Sequence, residues 1–84
     1  MLIRFFAGAA EAAGLDELTV DASEVSVAQL LDELPTKLPD HDPERLPKVL
    51  AASSLLADGA RLDDRTRALG GVAQLDVLPP FAGG

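Results

Sequence analysis

The chain has 84 residues, 48% of them hydrophobic and 25% charged, and its fourteen acidic against seven basic side chains give a formal net charge of −7. This length holds one small domain, the apolar content excludes wholesale disorder, and the acidic excess excludes a nucleic-acid ligand, whose affinity rests on Lys and Arg. Cysteine is absent and Met1 is the only sulfur-bearing residue, which removes disulfides, thiolate metal sites and a cysteine nucleophile and leaves the fold to packing alone.

Residues 2–7 are rich in β-favouring side chains, and Arg4 assigns their faces: Ile3, Phe5 and Ala7 inward, Leu2, Arg4 and Phe6 outward. Residues 8–14 form an Ala-rich connection bracketed by glycines, with one or two helical turns. Residues 15–21 alternate, with Leu18 and Val20 opposite Glu17, Thr19 and Asp21, and make a second strand paired with the first as a hairpin.

Ser26-Val27-Ala28-Gln29 matches a capping box and starts a helix. Val27, Leu30, Leu31, Leu34 and Leu38 fall on one stripe of it, and Pro35, which lacks an amide proton, is expected to end or kink it near Leu34. Pro35, Pro39, Pro43 and Pro47 mark an irregular crossing, in which Asp42-Pro43 suits the cap and first position of a short helical turn carrying Leu46, Val49 and Leu50 inward. Residues 53–57 make a third strand ended by the turn pair Asp58-Gly59, and a short extended piece follows at 60–62. Asp63-Asp64-Arg65-Thr66 reads as a capped turn and Gly70-Gly71 as a break. Residues 72–78 form the last strand, with Ala73, Leu75 and Val77 inward and Gln74 and Asp76 outward. One main helix laid on one face of a mixed sheet buries these stripes, an α+β two-layer arrangement over residues 1–78.

The chemistry concentrates in residues 79–84, Pro79-Pro80-Phe81-Ala82-Gly83-Gly84. Two prolines end sheet pairing and favour an extended, flexible tail. Glycine is a poor choice for a tail that must be ordered for structural reasons, and a sensible one for a chain end that enters a narrow site where a Cβ would clash. The reactive group is then the α-carboxylate of Gly84, with Gly83 and Ala82 threading behind it. Adenylation by a nucleotide-using partner would turn it into an acyl electrophile, which a sulfur donor converts to a thiocarboxylate and an amine to an amide. The plain alternative is a frayed terminus of small residues.

The opening Ile3-Arg4-Phe5-Phe6-Ala7, the connection Glu11-Ala12-Ala13-Gly14, the turn Asp58-Gly59 and the closing Leu75-Asp76-Val77-Leu78-Pro79-Pro80-Phe81-Ala82-Gly83-Gly84 together resemble the ubiquitin-like sulfur carriers, most closely the small subunit of molybdopterin synthase. The resemblance implies a β-grasp fold and a non-catalytic carrier. Its Gly84 would be adenylated by a ubiquitin-activator-like enzyme using ATP, thiocarboxylated, and docked in the large subunit of molybdopterin synthase as a heterotetramer. There it would donate sulfur to a cyclic pyranopterin precursor for molybdenum cofactor biosynthesis. Carriers for thiamine or cysteine biosynthesis, and a ubiquitin-like protein modifier or binding module, remain as alternatives. The family often has Arg where this chain has Ala10, which puts any partner contact through that position in doubt.

The resemblance also makes the first and last strands parallel neighbours, so Phe6, Leu78 and Phe81, with Pro79 and Pro80, are expected to form a partner-binding patch at the root of the tail. Cover of Phe6 by the Pro-rich crossing is the competing reading. The acidic surface suits either a shuttle that meets basic partner surfaces or simple solubility. His41, between Asp40 and Asp42, has no second His or Cys and is read as a loop residue, with no metal site and no bound cofactor expected. Residues 8–14 lack the Lys and Ser/Thr of a phosphate-binding loop, and Ser53 and Ser54 have no base nearby in sequence. The opening residues show neither the charged segment nor the cleavage-like sequence of a secretory signal, and no apolar run approaches the roughly 20 residues that span a bilayer. A cytoplasmic protein with no membrane partner is expected.

Overall fold

The computed structural model describes residues 1–21 and 25–80. Its elements run β1 (Leu2–Phe5), α1 (Gly8–Ala13), β2 (Glu17–Thr19), α2 (Val27–Lys37), α3 (Arg45–Ala52), β3 (Ser54–Ala57), β4 (Ala60–Leu62) and β5 (Gln74–Leu78). The strands form one sheet in the order β2-β1-β5-β3-β4. β1 pairs antiparallel with β2 and parallel with β5, and β3 pairs antiparallel with both β5 and β4. This is the β-grasp arrangement that the resemblance implies.

Alternation divides the sheet into two faces. Ile3, Phe5, Leu55, Ala57, Leu75 and Val77 point into one core with Val27, Leu30, Leu34, Leu46 and Leu50 of the helices. The expected inward positions Ala7 and Ala73 are exposed. Ala7 lies beyond the end of β1 with φ 48° and ψ −123°, outside the extended region, and Ala73 precedes the first residue of β5. The strand alternation does not reach either residue.

Among the described residues the main helix α2 and the shorter α1 and α3, which stand where helical turns are expected, cover the core face. The capping box of α2 forms as expected: Gln29 N donates to Ser26 Oγ at 3.2 Å and Ser26 N donates to Gln29 Oε1 at 2.8 Å. The helix does not end near Leu34 but runs through Pro35 to Lys37. Interior proline costs about 3 kcal/mol, yet burying one leucine returns roughly 1.5–3 kcal/mol, and both Leu34 and Leu38 are fully buried on either side of it. The expected short turn after Asp42-Pro43 is an eight-residue helix that starts two residues later. Asp42 Oδ1 still caps its entry by accepting from the amides of Glu44 (3.0 Å) and Arg45 (3.1 Å). Those bonds, the Arg45 amide first, hold the Asp42 carboxyl below its ordinary pKa.

Small residues let α1 sit close to α3 and to the crossing. Ala9, Ala12 and Ala13 are fully buried, and Asp42 N donates to Ala12 O at 2.8 Å. Gly14 ends α1 with φ 78°, and a Cβ there would lie 2.7 Å from Asp40 O, so both conformation and space demand glycine. At the β3–β4 turn Asp58 and Gly59 both take positive φ, 50° and 84°, as a two-residue hairpin requires. The Asp58 carboxylate then accepts from Ala73 N (3.1 Å) and Gln74 N (2.9 Å), fastening the hairpin to the start of β5. Arg65 fastens the other end of β3, donating to Leu50 O at 3.0 Å and to Ser53 O at 2.8 Å.

Candidate functional site: the outer sheet face and the root of the tail

β5 occupies the middle of the sheet and ends at Leu78, directly before Pro79 and Pro80. Leu78 is opposite Ser54 of β3, and on the other side Phe6 N donates to Val77 O at 3.2 Å. Pro79 has no amide to extend either ladder, so pairing stops there. Pro79 is half-buried and Pro80 exposed.

One residue past the Phe5↔Val77 pair, Phe6 and Leu78 lie on the outer face at the ends of adjacent strands, both half-buried. The structure therefore places Phe6, Leu78, Pro79 and Pro80 in one region at the tail root. Phe81, Ala82, Gly83 and Gly84, the remaining partner-binding, threading and reacting positions, lie outside the described residues, as does the flexible-tail expectation.

Two side chains that sequence reasoning did not assign to the site sit at the centre of this face. The parallel register puts Arg4 opposite Asp76. The residue Asp76 is 7% exposed, with Oδ1 3.2 Å from Arg4 Nε and 3.0 Å from Gln74 Nε2, which donates to it. Arg4 is less well satisfied. Its Nε is buried without an aligned hydrogen bond, and its guanidinium carbon stands 4.9 Å from the centre of the Phe6 ring, within cation–π range. Leu2, Leu56 and Leu78 are half-buried apolar neighbours on this face, and exposed Glu17 of β2 lies opposite Arg4 on the other side. The signal was present in the sequence: both charges fall in the outward phase of strands that the resemblance makes parallel neighbours.

Between β1 and α1 the face opens into a depression of about 610 Å³, lined among others by Arg4, Phe6, Ala10 and Glu17. Ala10 thus borders the same depression as the Arg4 guanidinium. Elsewhere, His41 Nδ1 donates to Leu38 O at 2.6 Å. Among the described residues no cluster of three or more His, Cys, Asp or Glu is arranged to hold a metal ion. No helix among them is long and apolar enough to cross a membrane.

No protein-family model matches the sequence, and no curated protein matches it significantly. Among solved structures, the crystal structure of SAMP1 from Haloferax volcanii is similar over 99% of this chain and 97% of that one, with 24% identity and a TM-score of 0.68. A crystal structure of H. volcanii small archaeal modifier protein 1 is similar over 94% of both chains, with 21% identity and a TM-score of 0.62. At this identity the likeness establishes the fold, a ubiquitin-like β-grasp domain.

Proposed function

We propose that this chain is a ubiquitin-like sulfur carrier, the small subunit of a molybdopterin synthase. The observation that carries this reading is the route of β5: the central strand, parallel to β1, runs through Leu78 into Pro79 and Pro80, and the sequence continues Phe81-Ala82-Gly83-Gly84. The domain thus carries a side-chain-poor sequence directly after the C-terminal end of its central strand. An adenylating partner uses ATP to convert the Gly84 carboxylate to an acyl-adenylate with release of pyrophosphate. A sulfur nucleophile then displaces AMP and leaves a thiocarboxylate. The large subunit takes the loaded tail, with Phe6, Leu78, Pro79, Pro80 and Phe81 as the docking surface, and the sulfur passes to the pyranopterin precursor. The chain itself brings the acyl group and the docking surface; its partners bring the catalysis.

The test is intact-mass analysis of the protein after incubation with the adenylating enzyme, ATP and a sulfur donor. Exchange of oxygen for sulfur at Gly84 adds the same mass as oxidation of Met1, so the gain is to be located in the C-terminal peptide. Failure of that peptide to gain sulfur overturns the reading. Gly84→Ala should fold normally and resist adenylation.

The likeness to small archaeal modifier protein 1 favours a second reading, in which an amine attacks the same acyl-adenylate and forms an amide. Isopeptide adducts on lysines of other proteins, found without any thiocarboxylate, would select it. Service to thiamine or cysteine biosynthesis would show as transfer of the same sulfur to a different acceptor.

A further inference from the structure

We infer that the outer sheet face selects a partner by a carboxylate: the docking surface takes an apolar protein patch bearing one Asp or Glu side chain, which is received by the Arg4 guanidinium. The inference rests on the proposed function in one respect, that the adenylating enzyme takes the same chain end as the large subunit and so meets the same face.

Arg4 and Asp76 stand in the middle row of the face between exposed Glu17 on β2 and Leu56 on β3, with half-buried Leu2, Phe6 and Leu78 in the neighbouring rows. Arginine bordered by apolar side chains is enriched among the energetic anchors of protein interfaces, and Glu17, which is exposed, makes no ion pair with Arg4 among the described residues. The two charges are unequally satisfied. Asp76 has the Gln74 amide as donor and the Arg4 cation beside it. The Arg4 side chain makes no hydrogen bond within the described residues; its Nε is buried beside Asp76, while the side chain as a whole remains 40% exposed over the Phe6 ring. The guanidinium is therefore held in place by Asp76 and Phe6 while its exposed part stays available to a partner.

Covering this face changes what the guanidinium donors need. A purely apolar partner would remove water from them and offer nothing in exchange, leaving charged N–H groups unpaired. A carboxylate restores the lost hydrogen bonds in their charge-assisted form. A lysine or arginine in the same place would meet a like charge. Discrimination thus arises as much from what Arg4 rejects as from what it binds. The face is continuous with Leu78 and Pro79, so a partner that takes the tail must also cover it.

The decisive variant is Arg4→Leu, which makes the face more apolar. Its affinity for the adenylating enzyme is measured by calorimetry beside wild type and Arg4→Lys, with thermal unfolding of each as the folding control. Arg4→Leu is expected to bind at least about tenfold more weakly, about 1.4 kcal/mol, and Arg4→Lys to recover part of the loss. Equal or tighter binding by a folded Arg4→Leu overturns the inference, because a face that asks only for apolar contact would improve. A wild-type dimer in sedimentation that Arg4→Leu dissolves also overturns it, since the occupant would then be a second copy. Sulfur gain at Gly84 of the wild-type chain is read separately and reports on the carrier function alone.

Discussion

On the helix side of β1 and β5, Ile3, Phe5, Leu75 and Val77 are at most 3% exposed. On the other side of the same strands Leu2, Arg4, Gln74 and Leu78 are half-buried around the Asp76 carboxylate. The backbone hydrogen bonds are shared, so the difference lies entirely in the side chains. One face is satisfied within the domain, and the other contains a guanidinium whose donors are not. Adjacent residues of one strand can therefore be assigned to different tasks, Leu75 to the core and Asp76 to holding Arg4 on the open face.

Leu75→Ala is the largest expected effect. Truncating a fully buried leucine should cost about 2–5 kcal/mol, read from denaturant unfolding. The next residue provides the contrast. Asp76→Ala leaves Arg4, which is partly exposed, to be solvated by water, and should cost about 1 kcal/mol or less. Equal losses at the two positions would break the comparison between the faces.

Asp58→Ala should fall between them at about 1–2 kcal/mol, because it strips the acceptor from the amides that begin β5. Asp58→Asn keeps an acceptor and should lose less. Ala7→Gly works in the opposite direction. Its φ of 48° and ψ of −123° strain a residue with a Cβ, and relief of that strain, reduced by glycine's larger unfolded-state entropy, should raise stability by up to about 1 kcal/mol. Its binding to partners should stay unchanged if the outer face, rather than the strained turn beside it, makes the contact.

The smallest effect concerns pH. The Asp64 carboxyl, accepting from the hydroxyl and amide of Thr66, is held below its ordinary pKa, as is Asp42 by the amides of Arg45 and Glu44. A carboxyl lowered on folding stabilises the native state above its unfolded pKa of about 3.9, and that contribution is lost as pH falls further through the folded value. Thermal unfolding of an Asp42→Asn, Asp64→Asn double variant should accordingly lose less stability than wild type in this acidic window. Both groups lie off the outer face, so the double variant sharpens the comparison by leaving the side chains of that face unaltered.

Much of the fold was legible because its signals are local. The alternation of Ile3 and Phe5, the Ser26–Gln29 capping box and the Asp58-Gly59 turn each act within a few residues and appear as expected. The expectations that failed are those in which a distant contact outweighed a local rule. Pro35 should stop a helix, but Leu34 and Leu38 are both buried in the core and carry α2 onward. Asp42 does cap α3, though over a loop turn rather than with Pro43 as the first helical residue. Ala7 and Ala73 carried no information beyond their place in an alternation that stops before reaching them.

The site divides along the same line. Residues 79–84 read as a tail by composition alone, since prolines that cannot pair and glycines without side chains need no tertiary context to be recognised. Arg4 and Asp76 are separated by almost the whole chain, and only the parallel pairing of β1 with β5 makes them partners. By itself the sequence determined which side of β1 and β5 faces the core and that Pro79 and Pro80 cannot extend the ladders, because both depend on the residues in place. The tertiary structure alone decided that a cation with unsatisfied donors stands at the centre of the open face, because that depends on which strand lies beside which.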